Sequence, residues 1–313
     1  MPCRITAGRH PRPGDSRHDL VVPRPPVARR LLFAAATSER WEQLVRALPA
    51  GERLAYRLAS RYVAGRRLED ALACADRLAE QRLTCSIDFF GENVVDPLQA
   101  DQVADRYVEL ARSLDRVPDA FLSIDLSHIG LDEAGDAVRR RLERIAAELS
   151  AGRRLQVGAE EERRADTVLK TVLAVAGVGG AVSATVQANL KRSRSDAHAL
   201  GEAGVPVRLV KGAYVEDPHL VRAWGEPTDR AFLELAHELH SHGAQVSLAT
   251  HDPVLREGLL RALPSTGIEM LLGVRREDAA QLANRGVPVR IYVPFGHQWF
   301  RYAMRRWAES QAK

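Results

Sequence analysis

Eight short apolar runs, each followed by a polar segment of helical spacing, constrain this chain more than any other feature of its sequence. The runs are LTCSIDF, FLSIDL, RLQVG, VSATVQ, VRLV, QVSLAT, EMLL and VRIYV, starting near Leu83, Phe121, Arg154, Val182, Val207, Gln245, Glu269 and Val289. The gaps between them hold one crossover helix each, the connection that parallel strands need. Two gaps show the helix directly. Residues 134–150 place Val138, Leu142, Ile145 and Leu149 on one face, and Thr228 is expected to cap a helix carrying Phe232, Leu235 and Leu239. Strand and helix repeated eight times predict an α/β fold, a (βα)8 TIM-type barrel. The rival, an open doubly wound sheet, carries a glycine-rich first turn after a strand, whereas Gly177, Gly179 and Gly180 precede one.

With 313 residues and 45% hydrophobic content, one such barrel accounts for the chain. Residues 1–28 are rich in Pro, Arg and Gly and read as a disordered basic tail, leaving 29–313 as a single domain. Helical spacing from Leu31 to Glu80, broken at Pro49-Ala50-Gly51, predicts helices ahead of the first strand that cap the base or edge of the barrel.

Several functions are disfavoured. The net charge of +4 arises from 45 basic and 41 acidic residues interleaved along the chain, a salted surface and not a nucleic-acid footprint. Cys3, Cys74 and Cys85 are odd in number, with no C-x-x-C and no zinc spacing, so neither a disulfide framework nor a metal site is expected. The cysteine pattern makes a reducing cytosol the simplest setting, and with no apolar run of membrane length and no signal-peptide core the expectation is a protein that is soluble or at most peripheral to a membrane.

In a barrel the chemistry gathers where strands end. The polar residues closing the runs are Asp88 and Glu92, Asp125 and His128, Gln187, Lys211, His251 and Asp252, and Tyr292. Tyr302, Arg305, Arg306 and Glu309 follow at spacings that put them along one side of a last helix. A pair of planar guanidinium groups beside an aromatic ring suits an amino-acid carboxylate; the alternative is a solvated basic face. Lys211 is read three ways: a phosphate partner, a Schiff-base former or a structural ion pair. Gly212 and Ala213 after it let a bulky ligand approach the backbone, and His251 reads equally as a ligand contact or a structural histidine.

From Leu31 to Glu309 the chain resembles the proline dehydrogenase family, flavoenzymes of the first step of proline breakdown. The resemblance is carried by TVQANLKRS at 185–193, VRLVKGAYVE at 207–216, LATHDP at 248–253 and VRIYVPFGHQWFRYAMRRWAE at 289–309, with weaker echoes in IDFFGE at 87–92 and LLGV at 271–274. It implies a distorted (βα)8 barrel with FAD across the strand ends and the last helix completing a proline pocket. Position by position, it implies flavin contacts at Gln187, Arg208 and Lys211, with Gly212 and Ala213 beside them, and FAD binding at Thr250 and His251. It implies that Arg305 and Arg306 hold the substrate carboxylate, Tyr292 and Tyr302 form aromatic walls, Leu209 and Ala213 are apolar pocket residues, and Glu92 gates the pocket by pairing with Arg305. The implied reaction moves a hydride from the ring carbon beside the proline nitrogen to flavin N5, giving pyrroline-5-carboxylate. Electrons then pass to a quinone, which implies a peripheral contact with a membrane.

Two departures fall in the expected pocket. The family's second strand reads Ser-Val-Lys where this chain has Ser123-Ile124-Asp125, and an Asp of its third strand is Gly158 here. An anion at Asp125 beside a substrate carboxylate lowers affinity unless protonated or paired. Weaker proline binding or a different cyclic imino acid is the expectation, and Asp125→Lys then improves proline kinetics. Asn189 in place of Tyr and Glu269 in place of Gln alter the cofactor surroundings.

Overall fold

The structure, a computed structural model, describes residues 39–48, 50–212 and 214–310. The segment 1–28, the start of the helix expected from Leu31, and Ala213 lie outside the described residues. Eight parallel strands close into a barrel in sequential order, β1 pairing with β8. They are β1 (Thr84–Phe89), β2 (Phe121–Ile124), β3 (Leu155–Val157), β4 (Val182–Gln187), β5 (Val207–Val210), β6 (Val246–Ala249), β7 (Gly267–Leu271) and β8 (Val289–Phe295). Each begins within two residues of the position expected from the sequence.

Alternation within the strands decides which side chains meet. Ile87, Leu122, Ile124, Leu155, Val157, Leu209, Leu248, Ile291 and Val293 point outward and are buried in one apolar cluster with the surrounding helices. Their neighbours of opposite parity face the barrel axis and are largely polar, bonded around the interior. Ser183 Oγ donates to Gln156 Oε1 at 2.8 Å, Gln156 Nε2 to Thr185 Oγ1 at 3.1 Å, and Arg208 Nε to Thr185 Oγ1 at 3.1 Å. A hydrogen-bonded core of this kind departs from the branched aliphatic layers usual in such barrels.

Before the barrel come α1 (Glu39–Ala47), α2 (Gly51–Ala59) and α3 (Leu68–Ala79). The outer layer continues with α4 (Pro97–Ser113), α5 (Ala137–Ala146), α6 (Glu162–Gly177), α7 (Ser193–Glu202), α8 (Glu226–Ser241), α9 (Pro253–Ala262), α10 (Arg276–Asn284) and α11 (Trp299–Ser310). Asp-Pro pairs start two of them: Asp96 accepts from Leu98 N ahead of α4, and Asp252 from Val254 N and Leu255 N ahead of α9. Thr228 does not cap α8. That helix starts two residues earlier, and the Thr228 hydroxyl donates to the Ala223 carbonyl at 2.8 Å.

The expectation that the leading helices cap the base or edge needs a correction for α2, which packs on α11 above the strand C-termini. Ala55, Ala59, Trp299, Phe300 and Ala303 share a second apolar cluster, with Tyr56 edge-on to Trp299 at 5.0 Å between ring centres. From α1, Glu42 meets Arg301 at 3.3 Å. The helix that completes the barrel mouth is thus held down by the segment that precedes the barrel.

Candidate active site

A cavity of about 1000 Å³ opens at the C-terminal ends of the strands beneath α11. Asp88, Glu92, Asp125, Gly158, Arg208, Lys211, Gly212, Thr250, His251, Tyr292, Tyr302, Arg305 and Arg306 line it together. Most of the residues singled out from the sequence therefore converge on one wall-and-roof arrangement.

Two do not. Leu209, expected as a pocket residue, is fully buried in the apolar cluster outside the barrel, because Arg208 and Val210 take the inward positions and a strand alternates. Gln187 is buried at the end of β4 with its Nε2 donating to the Glu160 carbonyl at 2.9 Å, and it is not part of the cavity lining. Ala213 lies outside the described residues. Glu92 is exposed at the rim, and no ion pair joins it to Arg305 among the described residues.

On the β1 and β8 side, Tyr292 OH donates to Asp88 Oδ2, and the Tyr292 ring lies 5.9 Å from that of Tyr302. Tyr302 also packs on Phe90, and the Arg306 guanidinium sits 5.6 Å from the Tyr302 ring centre. Burial pushes the Asp88 carboxyl up to about 6, with the Tyr292 hydroxyl and Arg208 opposing. Burial, then Asp88 and Glu160, hold Asp125 well above the ordinary carboxylate range. His128 backs this wall from outside the cavity. Its ring touches Gly91 so closely that a Cβ there would fall 1.9 Å from Nε2, and burial pushes it down to about 4, so it is neutral.

On the opposite wall, Lys211 Nζ binds Asp229 Oδ1 at 2.6 Å and Asp252 Oδ2 at 3.0 Å. Burial opposes its charge, but the two carboxylates outweigh that and raise its pKa. A lysine clamped as ammonium is a poor nucleophile, so of the three roles open to Lys211 the Schiff base is the one this environment disfavours. Asp229 comes from α8 and carries no motif that would have singled it out. Tyr214, absent from the expected set, lines the cavity with its hydroxyl donating to the Ala159 carbonyl at 2.9 Å.

His251 Nε2 accepts from the Leu271 backbone N–H at 3.2 Å, which puts the ring proton on Nδ1. That Nδ1 is buried without a hydrogen-bond partner among the described residues. Burial, then Arg306, pushes the ring down to about 4. Next to this wall Gly212 has φ +135, and a Cβ there would lie 2.2 Å from Asn189 Oδ1, so the backbone presents no side chain to the cavity. Opposite, Arg305 Nε is likewise buried without a partner among the described residues. The chamber thus has an anion-seeking roof, a donor-bearing wall left unsatisfied by protein, and an acidic floor. No cluster of His, Cys, Asp or Glu able to hold a metal ion occurs among the described residues, and no described helix is long and apolar enough to cross a membrane.

A family model described as proline dehydrogenase matches residues 71–313. The chain is 29% identical to a proline dehydrogenase of Deinococcus radiodurans over 90% of this chain and 94% of that protein. It is 30% identical to proline dehydrogenase 1 of Bacillus subtilis strain 168 over 81% of this chain and 87% of that protein. Among solved structures, proline utilization A from Bdellovibrio bacteriovorus, inactivated by N-propargylglycine, matches with TM-score 0.75 at 17% identity, covering 91% of this chain and 36% of that one. A Bradyrhizobium japonicum proline utilization A variant matches with TM-score 0.69 at 22% identity, over 84% of this chain and 32% of that one. The chain spans about a third of these longer structures, and at such identities they show the shared fold alone.

Proposed function

The chain belongs to the proline dehydrogenase family, and from that premise we propose that the mouth cavity carries out FAD-dependent oxidation of L-proline, or of a closely related cyclic imino acid, to the corresponding ring imine. The observation that carries this reading is the pairing of Arg305 and Arg306 with the aromatic walls Tyr292 and Tyr302 over one enclosed chamber. Planar guanidinium groups hold a carboxylate bidentately, and the two tyrosine rings restrict a small five-membered ring to one orientation. The α2 contact that anchors α11 fixes that roof and helps to exclude water.

FAD suits the opposite wall. The partnerless His251 Nδ1–H and the bare backbone of Gly212 offer a donor and close approach to a flat polar ring system, and the Lys211 ammonium adds a positive charge for its phosphates. Thr250 and Arg208 complete the set on this side. When bound, FAD supplies the two-electron acceptor, and a quinone reached by peripheral contact with a membrane is the proposed onward acceptor. Arg208 is steered by Thr185 at 3.1 Å and by Glu269 at 3.7 Å, so its guanidinium holds a fixed positive charge on the cavity wall. Gln187 acts here from behind, fixing the Glu160 carbonyl.

Anaerobic addition of L-proline to the purified protein tests the reading. An oxidised flavin spectrum that bleaches supports it. Bound flavin that proline leaves unchanged, while another cyclic imino acid bleaches it, moves the substrate within the proposed class. Absence of flavin from the purified protein, with no uptake of added FAD, overturns the cofactor.

A further inference from the structure

We propose that Asp125 sets the substrate specificity of this chain as the seat for a protonated ring nitrogen, so that a zwitterionic cyclic amino acid spans the cavity from Asp125 to the Arg305–Arg306 pair. The inference rests on the reading above and deepens it.

Asp125 directly follows β2 on the cavity wall, and no described residue donates a hydrogen bond to its carboxylate. Of the other acids, Asp88 is engaged by Tyr292, Glu160 by the Ser127 backbone N–H at 3.0 Å and by Arg164, and Asp252 by Lys211, while Glu92 lies exposed at the rim. An acceptor left open toward a ligand cavity is a binding group for a donor.

Gly158 makes the room. A Cβ at that position would lie 1.8 Å from Asp125 Oδ1, so any side chain there displaces the carboxylate. The two departures from the family pattern are one arrangement: the acid occupies the space that the missing side chain vacates.

The charges around Asp125 favour a cation. Asp88, Glu160 and Glu92 face it, with Arg208 the opposing cation, itself engaged by Glu269. Arg305 and Arg306 line the same cavity. A carboxylate placed beside Asp125 meets repulsion, whereas an ammonium there and a carboxylate at the arginines match both ends.

The seat has a chemical use. Hydride loss from the carbon beside nitrogen requires the nitrogen lone pair, so a bound ammonium must first give up a proton. That N–H bond breaks as an O–H bond forms on the Asp125 carboxylate; nitrogen keeps the electron pair, and no electron changes hands. Burial and the neighbouring carboxylates raise the proton affinity of Asp125, so once a bound ammonium favours its ionised form it takes that proton more readily than a solvated carboxylate.

The test compares kcat/KM for L-proline with the inhibition constant of its ring-oxygen analogue, tetrahydrofuran-2-carboxylate, which keeps the carboxylate and lacks the N–H. Asp125→Asn is expected to lower kcat/KM for proline at least about tenfold, a loss of roughly 1.4 kcal/mol, and to leave the analogue unchanged or tighter. Gly158→Ala keeps the acid but takes its space and should reproduce the split. Asp125→Lys should weaken proline and tighten the analogue; if it improves proline turnover, Asp125 merely repels the carboxylate and the proposal is overturned. Equal weakening of both ligands in Asp125→Asn also overturns it. A wild-type protein that oxidises no proline and binds no analogue overturns the reading on which the seat rests, and the seat with it.

Discussion

The two faces of the same eight strands are built on opposite principles. Outward, Leu122, Ile124, Leu155 and Val157 are fully buried against helices and hold the barrel together by apolar contact. Inward, one residue along each strand, Ser123 lines the cavity, and Gln156, Ser183, Thr185 and Arg208 form a hydrogen-bonded lining beneath Asp88, Asp125 and Tyr292. The outer face carries stability and the inner face carries the site. Substitutions one residue apart should therefore fail in different ways.

The largest effect should come from the roof. Replacing Arg305 and Arg306 together by Ala should lower kcat/KM for the imino acid roughly 10³-fold, since each charged pair contributes on the order of 2 kcal/mol, while the melting temperature stays close to that of the wild type. A comparable loss of melting temperature would show that α11 is held by these side chains and not by its apolar contact with α2.

Next, Leu122→Ala on the outer face should destabilise the fold by about 3 kcal/mol through a cavity in the core, measured by denaturant unfolding. Its neighbour Ser123→Ala should change stability by less than about 1 kcal/mol. If the two variants lose equal stability, the division between the faces does not hold.

A smaller effect tests the acidic floor. The Asp88 carboxyl is raised in the folded protein from 3.8 to about 6. The folded state therefore keeps a proton that the unfolded chain releases, and stability from this group is present below about pH 4 and lost as pH rises toward about 6. Asp88→Asn should flatten that slope, which is on the order of 1–3 kcal/mol in total. A slope unchanged in Asp88→Asn would assign the titration to its neighbours Asp125 and Glu160.

The strands were legible because each must bury an apolar face, and a run such as FLSIDL or VSATVQ announces itself whatever surrounds it. The resemblance placed Leu209 in the pocket, whereas the period of two along β5 puts it in the outer apolar cluster. Thr228 was misjudged because a hydroxyl near a helix start does not reveal which group it will meet. The partners of Lys211 were out of reach for another reason. Asp252 stood in a motif, but Asp229 comes from the following helix with nothing local to connect it to the lysine.

Composition and periodicity alone determined the strand and helix order, the barrel class and the cluster of polar residues at strand ends, because these follow from local spacing and the need to bury apolar surface. Tertiary structure alone decided that α2 clamps the mouth, that Lys211 is held charged between two carboxylates, and that Asp125 fits only because Gly158 is bare. Those outcomes depend on distances between segments far apart in the chain, and no local spacing encodes such a distance.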